Sequence, residues 1–194
     1  NGERRDRRVL NHLVARGVGM EQLFFMNSEC RSSHADRWKR NLSRCPILPL
    51  PIETADACWA PSTRLCLHVV SVGRLVPFKS YNVGAAAIVK EGLRRGIAIK
   101  WDIYGDGPDE AAITKAIQES GVTALVRLKG TLGYQQFASC VSQYDLFVGM
   151  GTAALEAAMV GVPTICATVD EPGHCYGYLD ALPFGNVGER LSEP

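Results

Sequence analysis

The sequence has no apolar run of the roughly 18 residues that a membrane-spanning helix needs. Its basic first residues, NGERRDRR, lead into no apolar segment typical of a signal peptide. The seven cysteines include no CxxC pair, which favours a reducing compartment. With a formal net charge of +1 and 21% charged residues, the chain gives no reason to expect a nucleic-acid partner. We therefore expect a cytoplasmic protein with an ordinary hydrophobic core.

Three signatures of catalytic or cofactor sites are also missing. There is no GxSxG elbow of a serine hydrolase, and no GxGxxG follows the first strand of the sheet region, as a nicotinamide site would require. The four histidines show no HxxxH or HxxE pattern on one helix. Glu171, His174 and Cys175 could approach one another, but one short loop supplies too few metal ligands. We expect neither a metal nor a cofactor.

What the sequence does contain, from about Arg64 onward, is an alternation of short β-branched runs with longer stretches of helical period. This alternation predicts an α/β fold with a Rossmann-like parallel sheet, helices on both faces and ligands bound beyond the carboxyl ends of the strands. We predict strands at residues 67–73, 97–105, 125–130, 145–149 and 163–167, and helices at residues 80–95, 109–120, 134–142 and 153–160.

The first sixty residues have a different pattern. They contain two helix-like stretches, residues 9–16 and 34–42, and a possible strand at residues 23–26. Three prolines between Pro46 and Pro51 favour an extended edge strand or a linker. We interpret residues 1–60 as the end of a second domain with its linker, and residues 61–194 as the ligand-binding domain.

The loop after the first predicted strand is a candidate anion site. Gly73 would let the backbone approach a ligand closely, and Arg74 and Lys79 place two cations at the carboxyl end of the sheet. An arginine fork and a mobile lysine could hold a diphosphate without a metal. The alternative is that both side chains are ordinary solvated loop residues.

Two further loops follow strands and contain glycines. The GDGP turn at residues 105–108 needs no ligand to explain it. In LKGTLGYQQF, Thr131 or the backbone near Leu132 could face a nucleotide base, although a plain turn explains this stretch equally well.

The stretch GMGTAALEAAMVGVPTI indicates a phosphate site at a helix start. Gly149 and Gly151 lie where a strand passes into a helix, and Thr152 and Ala153 would offer free backbone N–H groups at the positive end of the helix dipole. One turn later Glu156 could accept hydrogen bonds from a ribose diol. The alternative is a capping glutamate, for which the spacing from the threonine is one residue too long.

The stretches GRLVPFK, YGDGP, LKGTL and GMGTAALEAAMVGVPTI, in this order and spacing, resemble the donor-binding half of GT-B fold, retaining nucleotide-sugar glycosyltransferases of the family 4 type, especially bacterial enzymes of surface polysaccharide synthesis. The resemblance covers about residues 67–167. It implies a nucleoside-diphosphate sugar donor, no metal, and a glycan or lipid-linked acceptor. It also implies that Arg74 and Lys79 hold the diphosphate as catalytic residues, that the amides of residues 151–153 contact it, and that Glu156 binds the ribose.

One position departs from that family's pattern. Where the family commonly has a glutamate beside the transferred sugar, eight residues before Glu156, this chain has Val148, which cannot hydrogen-bond a hydroxyl. Three interpretations stay open. The chain could be part of a transferase whose other loops contact the sugar, a nucleotide-binding module or split-transferase subunit without turnover, or a GT-B epimerase that needs no acceptor.

The amino-terminal portion is basic, with ERRDRR followed by further arginines and a lysine up to Arg44. A solvated helix face explains this charge. The alternative is peripheral contact with an anionic membrane surface or a lipid-diphosphate acceptor.

Overall fold

The computed structural model describes residues 2–49, 51–52 and 57–181, and the side chains from residue 8 onward. The described residues form two compact units, one that ends at Pro51 and one that begins at Ile52. The predicted division after residue 60, which concerns the role of each part, stays a prediction. Residues 182–194 of the predicted ligand-binding domain lie outside the described residues.

The first unit contains α1 (Gly2–Ala15), a 3-10 turn (Met20–Gln22) and α2 (Ser28–Trp38). Helix α2 begins six residues before the predicted start because the Asn27 side chain accepts a hydrogen bond from the Cys30 amide at 2.6 Å. It ends early because Lys39 adopts the left-handed conformation. The predicted strand at residues 23–26 was wrong, since among the described residues a single parallel bridge forms there, between Phe25 and Ile47.

The second unit contains a six-stranded sheet. Its strands are β1 (Leu67–Val72), β2 (Ile99–Tyr104), β3 (Val126–Leu128), β4 (Leu146–Gly149), β5 (Thr164–Ala167) and β6 (Cys175–Tyr178), in the order β3-β2-β1-β4-β5-β6. The first five are parallel, which confirms the predicted parallel sheet. The sixth strand, antiparallel to β5, was not predicted.

Helices cover both faces of this sheet, as predicted. They are α3 (Tyr81–Arg94), α4 (Glu110–Ser120), α5 (Phe137–Val141), preceded by a 3-10 turn (Tyr134–Gln136), and α6 (Thr152–Met159). Helices α3 and α4 pack on one face, with Val69, Trp101 and Ile103 of the sheet. Helices α5 and α6 pack on the other, with Val70 and Phe147. A further 3-10 turn (Leu179–Ala181) follows β6. No helix in the described ranges is both long and apolar enough to cross a membrane.

A buried carboxylate links strands on the α5/α6 face. Asp102 of β2 is 7% exposed and accepts two hydrogen bonds from the Arg127 guanidinium of β3 and one from the Tyr144 hydroxyl, at 2.8 Å. Burial, followed by the hydrogen bonds to Tyr104 and Asp102, raises the pKa of Tyr144. The carboxylate is therefore fully hydrogen-bonded within the fold, as a buried charge must be.

The loops that follow β1, β2 and β3 are joined by backbone hydrogen bonds. The Leu75 amide donates to the Asp106 carbonyl at 2.7 Å, and the Gly105 amide donates to the Gly130 carbonyl at 2.7 Å. Gly105 and Gly107 both have positive φ, and a Cβ at either position would overlap the carbonyl oxygen of Gly73 or of Leu75. Both glycines of the GDGP turn thus allow a close backbone approach.

We expect Gly105→Ala to lower the free energy of unfolding of the chain by about 3 kcal/mol or more, because the new methyl group adds overlap to backbone strain. The matched control is Gly121→Ala. Gly121 also has a positive φ, but no atom lies within 4 Å of the Cβ that the alanine would add. It should cost about 1–2 kcal/mol. Urea unfolding of both variants measures the difference, and equal losses would contradict the close approach.

Candidate functional site

The candidate site lies where the carboxyl ends of β1 and β4 meet. These strands are adjacent, with Val70 opposite Phe147. The Ser71 hydroxyl donates to the Val148 carbonyl at 2.7 Å, which holds the two strand ends together. The sheet order reverses here, since β2 and β3 lie to one side and β5 and β6 to the other. Ligands of open α/β sheets bind at such a crevice.

Two cations lie at the end of β1. The Lys79 Nζ is 2.8 Å from the position that a Cβ on Gly73 would take, so the ammonium lies directly over the end of the strand. Burial and then the charge of Arg74 lower the pKa of Lys79. In the described portion, neither cation forms an ion pair with a carboxylate. The loop therefore presents two close, uncompensated positive charges.

Helix α6 follows β4, the strand paired with β1, and offers backbone donors at its start. Gly151 is its N-cap, with φ of 69°, and as a glycine it supplies no side-chain cap. The first amide with a partner in the helix is that of Ala154, which donates to the Gly151 carbonyl at 3.1 Å. Within the described ranges, the amides of Thr152 and Ala153 have no acceptor. They are free to bind an anion.

Glu156 is half-buried on the same helix. Because Gly151 is the N-cap, the third helical residue is Ala154, so Glu156 does not occupy the capping-box position. The structure therefore removes the capping alternative that the sequence left open. The part assigned to Glu156 in binding a ribose stays a prediction.

The remaining predicted site residues differ in what they do. Gly149 is the last residue of β4, and a Cβ there would lie 2.6 Å from the Phe147 ring, so its small size serves packing. Leu132 and Ala153 pack against the same apolar cluster, whereas Thr131 is exposed in the loop after β3. Contact of Thr131 or Leu132 with a base stays a prediction.

Val148 belongs to the apolar core. Its side chain is 8% exposed and packs in the cluster beneath α3 and α4, together with Met150. The backbone of this residue, however, lies at the site, since its carbonyl accepts the Ser71 hydroxyl.

Sequence reasoning missed two supports of the cationic loop. The side-chain amide of Asn82, which is 3% exposed, donates to the Lys79 carbonyl at 3.3 Å. The loop between β5 and β6 lies over the same region, since the Asp170 amide donates to the Phe78 carbonyl at 3.0 Å. Gly84 in α3 allows this approach, since a Cβ there would lie 3.1 Å from Pro172. In the sequence, the signal that could have revealed this close approach was a glycine inside a predicted helix.

In the part of the chain that the structure describes, no group of three or more histidine, cysteine, aspartate or glutamate side chains is arranged to hold a metal ion. Glu171 and His174 are both exposed, and both of their carbonyls accept the Thr168 hydroxyl.

Comparison with known proteins gives a family and a fold. The family model of the glycosyl transferases group 1 matches residues 66–178, more than half of the 194 residues. No curated protein sequence matches the chain.

Several solved structures share the fold. A TarM variant from S. aureus, in complex with fondaparinux, α-GlcNAc-glycerol and UDP, has a TM-score of 0.59 at 20% identity over 73% of this chain. The pneumococcal O-GlcNAc transferase GtfA, in complex with UDP and GlcNAc, has a TM-score of 0.56 at 20% identity over 73% of this chain. The lipopolysaccharide outer core galactosyltransferase WaaB has a TM-score of 0.55 at 18% identity over 73% of this chain. The chain spans 28%, 29% and 41% of the length of these proteins, respectively.

We expect the Lys79 ammonium to titrate below the ordinary lysine value of 10.5, because burial and Arg74 both disfavour its charged form. Arg74→Gln should raise this pKa without restoring it, since burial remains. The ¹³Cε chemical shift followed against pH measures it, and Lys79→Ala identifies the resonance. A normal pKa, or one that does not respond to Arg74→Gln, would contradict the site geometry.

Proposed function

This chain belongs to the glycosyl transferases group 1, and on that premise we propose that its sheet unit binds the nucleoside-diphosphate sugar from which a sugar is moved to an acceptor. The observation that carries the proposal is the pair of uncompensated cations at the end of β1, together with the free amides at the start of α6, which follows the neighbouring strand β4. A diphosphate is an anion of suitable size and charge for both.

The cations would act on the leaving group. As the bond between the sugar and the diphosphate breaks, negative charge grows on the diphosphate oxygens, and fixed positive charges stabilise that growth. Arg74 offers a planar fork and Lys79 a mobile point charge, each contributing about 1.5–3 kcal/mol to a charge-assisted hydrogen bond. No metal is required in this scheme, because the two side chains supply the positive charge that a metal would otherwise bring.

The α6 start would complete the donor site. The amides of Thr152 and Ala153 would donate to the same diphosphate at the positive end of the helix dipole, with Gly151 providing the backbone turn. Glu156, one helical turn further on, would accept hydrogen bonds from the ribose hydroxyls. Thr131 and the backbone of Leu132 would face the base.

For the acceptor we propose a glycan or a lipid-linked saccharide in surface polysaccharide synthesis, on the cytoplasmic side of the membrane. The family resemblance supports this choice, as does the shared fold with WaaB, which acts in the lipopolysaccharide outer core. The basic amino-terminal portion would contact the membrane surface peripherally.

A second candidate is a nucleotide-binding module, or one subunit of a split transferase, without turnover of its own. Val148 favours it, because its apolar side chain lies in the core and offers no hydrogen bond to a sugar. A GT-B epimerase would instead release free sugar or an altered sugar nucleotide with no acceptor present. A product assay on the donor alone distinguishes the three functions.

We expect the purified chain to bind one of the diphosphates UDP, GDP and ADP, or its common sugar conjugates, selectively and in preference to the monophosphate CMP, as measured by saturation-transfer NMR. Glu156→Ala should weaken that binding by about tenfold or more, because it removes the acceptor for two ribose hydroxyls. The matched control is Glu119→Ala, an exposed glutamate on α4 that should leave the signal unchanged. Binding by no nucleotide, or equal loss in both variants, would contradict the donor site.

We expect affinity for the same diphosphate to fall as the pH rises towards and above the pKa of Lys79. Only the protonated ammonium attracts phosphate, and because this pKa is lowered, the fall should begin below pH 10.5. Lys79→Arg should move the fall to higher pH, since a guanidinium stays charged. Titration calorimetry over pH 7–10 measures the affinity of the unmodified chain and of Lys79→Arg. If the two affinities had the same pH dependence, Lys79 would not be part of the diphosphate site.

A further inference from the structure

The turn that carries Lys79 is held by hydrogen bonds on both sides of that residue. The Lys79 amide donates to the Val76 carbonyl at 2.9 Å. The Lys79 carbonyl accepts two hydrogen bonds from Asn82, one from its backbone amide at 3.2 Å and one from its side-chain amide at 3.3 Å. Because both backbone polar groups of Lys79 are bonded, the direction in which its side chain leaves the turn is fixed.

The side-chain bond from Asn82 is not a helix cap. Helix α3 begins at Tyr81, and its N-cap, Ser80, makes no side-chain cap hydrogen bond. A capping side chain accepts a hydrogen bond from a free backbone N–H of the first helical turn. Asn82 instead donates to the carbonyl of a residue that precedes the helix. The bond therefore serves the turn before α3.

An asparagine is an unfavourable residue for this position. Asn82 is 3% exposed, and its Oδ1 accepts no hydrogen bond from the part of the chain that the structure describes. The Ser80 hydroxyl is also buried, with no partner among the same residues. An unpartnered buried polar atom typically costs more free energy than one neutral hydrogen bond returns. Stability alone favours an apolar side chain at position 82, so the amide is explained by the carbonyl that it holds.

We propose that Asn82 is a positioning residue of the diphosphate site. It acts through Lys79, whose Nζ lies 2.8 Å from the place that a Cβ on Gly73 would take, over the end of β1. A cation that is already in place loses less freedom when the ligand binds, and it stabilises the charge that grows on the leaving diphosphate. This inference deepens the proposed function and rests on it.

The charged groups around Lys79 allow its pKa to report its position. Burial and then Arg74, on the same loop, lower that pKa. The first turn of α3 holds no acidic residue, and Asp170 and Glu171 lie on the loop between β5 and β6. Burial raises the pKa of Tyr81, and the hydrogen bond from the Asn82 side chain opposes that rise, so the phenol stays neutral over pH 7–10. A variant of residue 82 leaves all of these groups in the chain.

We expect Asn82→Ala to raise the pKa of Lys79 towards the ordinary value of 10.5, because the released side chain moves into water and away from Arg74. Asn82→Ser is the conservative variant. A hydroxyl on a helix can donate to the carbonyl three residues earlier, so it can replace the lost amide. Its Lys79 pKa should stay close to that of the unmodified chain, although the two variants differ by one oxygen atom. The ¹³Cε chemical shift followed against pH measures each value.

Nucleotide affinity tests whether this placement is used. Titration calorimetry at pH 7 with UDP, GDP and ADP measures binding by the unmodified chain and by both variants. Asn82→Ala should weaken the binding of the preferred nucleotide by about three- to tenfold, which is the value of one hydrogen bond that holds a binding group. Asn82→Ser should weaken it by less.

The matched control for a loss of stability is Val89→Ala. Val89 is a fully buried residue of the same helix, α3. The substitution removes apolar contacts and should lower the urea midpoint, but it should leave the Lys79 pKa and the nucleotide affinity unchanged. Circular dichroism establishes that each variant is folded.

The outcomes separate this inference from the proposed function. If the unmodified chain binds none of the three nucleotides, the donor site fails and the role of Asn82 falls with it. If it binds one, four results would overturn the role of Asn82 alone. These are an unchanged Lys79 pKa in Asn82→Ala, equal effects of the alanine and serine variants, the same shift in Val89→Ala, or a shifted pKa with unchanged affinity.

Discussion

The candidate site depends on a close approach between two backbone segments. The carbonyl oxygens of Gly73 and Leu75 occupy the space that side chains at positions 105 and 107 would otherwise fill. The loop after β1 is consequently fixed by the loop after β2, which is in turn bonded to the loop after β3 through Gly130. This arrangement lets backbone hydrogen bonds hold a cationic loop in place, so its side-chain charges need not be neutralised by carboxylates to give it a defined shape.

The second constraint follows from the first. A half-buried ammonium beside an arginine is unfavourable, as the lowered pKa of Lys79 indicates, and a fold selected for stability alone would place a carboxylate nearby. Asp102 shows that this fold can satisfy a buried charge completely when the charge is structural. The contrast between the two groups supports a ligand role for Lys79, since perturbed and unpaired charges concentrate at functional sites.

The sheet was predictable from the sequence because five apolar runs alternate with helical periods, and each run became a strand. Strand β6 was not predictable, because the stretch CYGY lacks a run of β-branched residues. It forms a strand by pairing with β5. In the first unit, the start of α2 depends on a single cap by Asn27, which apolar periodicity does not reveal. At the site, the positions of the glycines and cations could be predicted, but the contact of Asp170 with Phe78 depends on tertiary structure.

The packing of Val148 explains how this chain can lack an acid there. Its side chain points into the core beneath α3 and α4, and the Trp101 indole donates to Ser71, which donates to the Val148 carbonyl. A carboxylate at this position would have to be buried among apolar groups or displace β4 to reach a ligand, and either change is costly. The hydrogen-bonded chain across β2, β1 and β4 resists that displacement. Any side-chain contact to a sugar at this site would therefore have to come from the loops rather than from position 148.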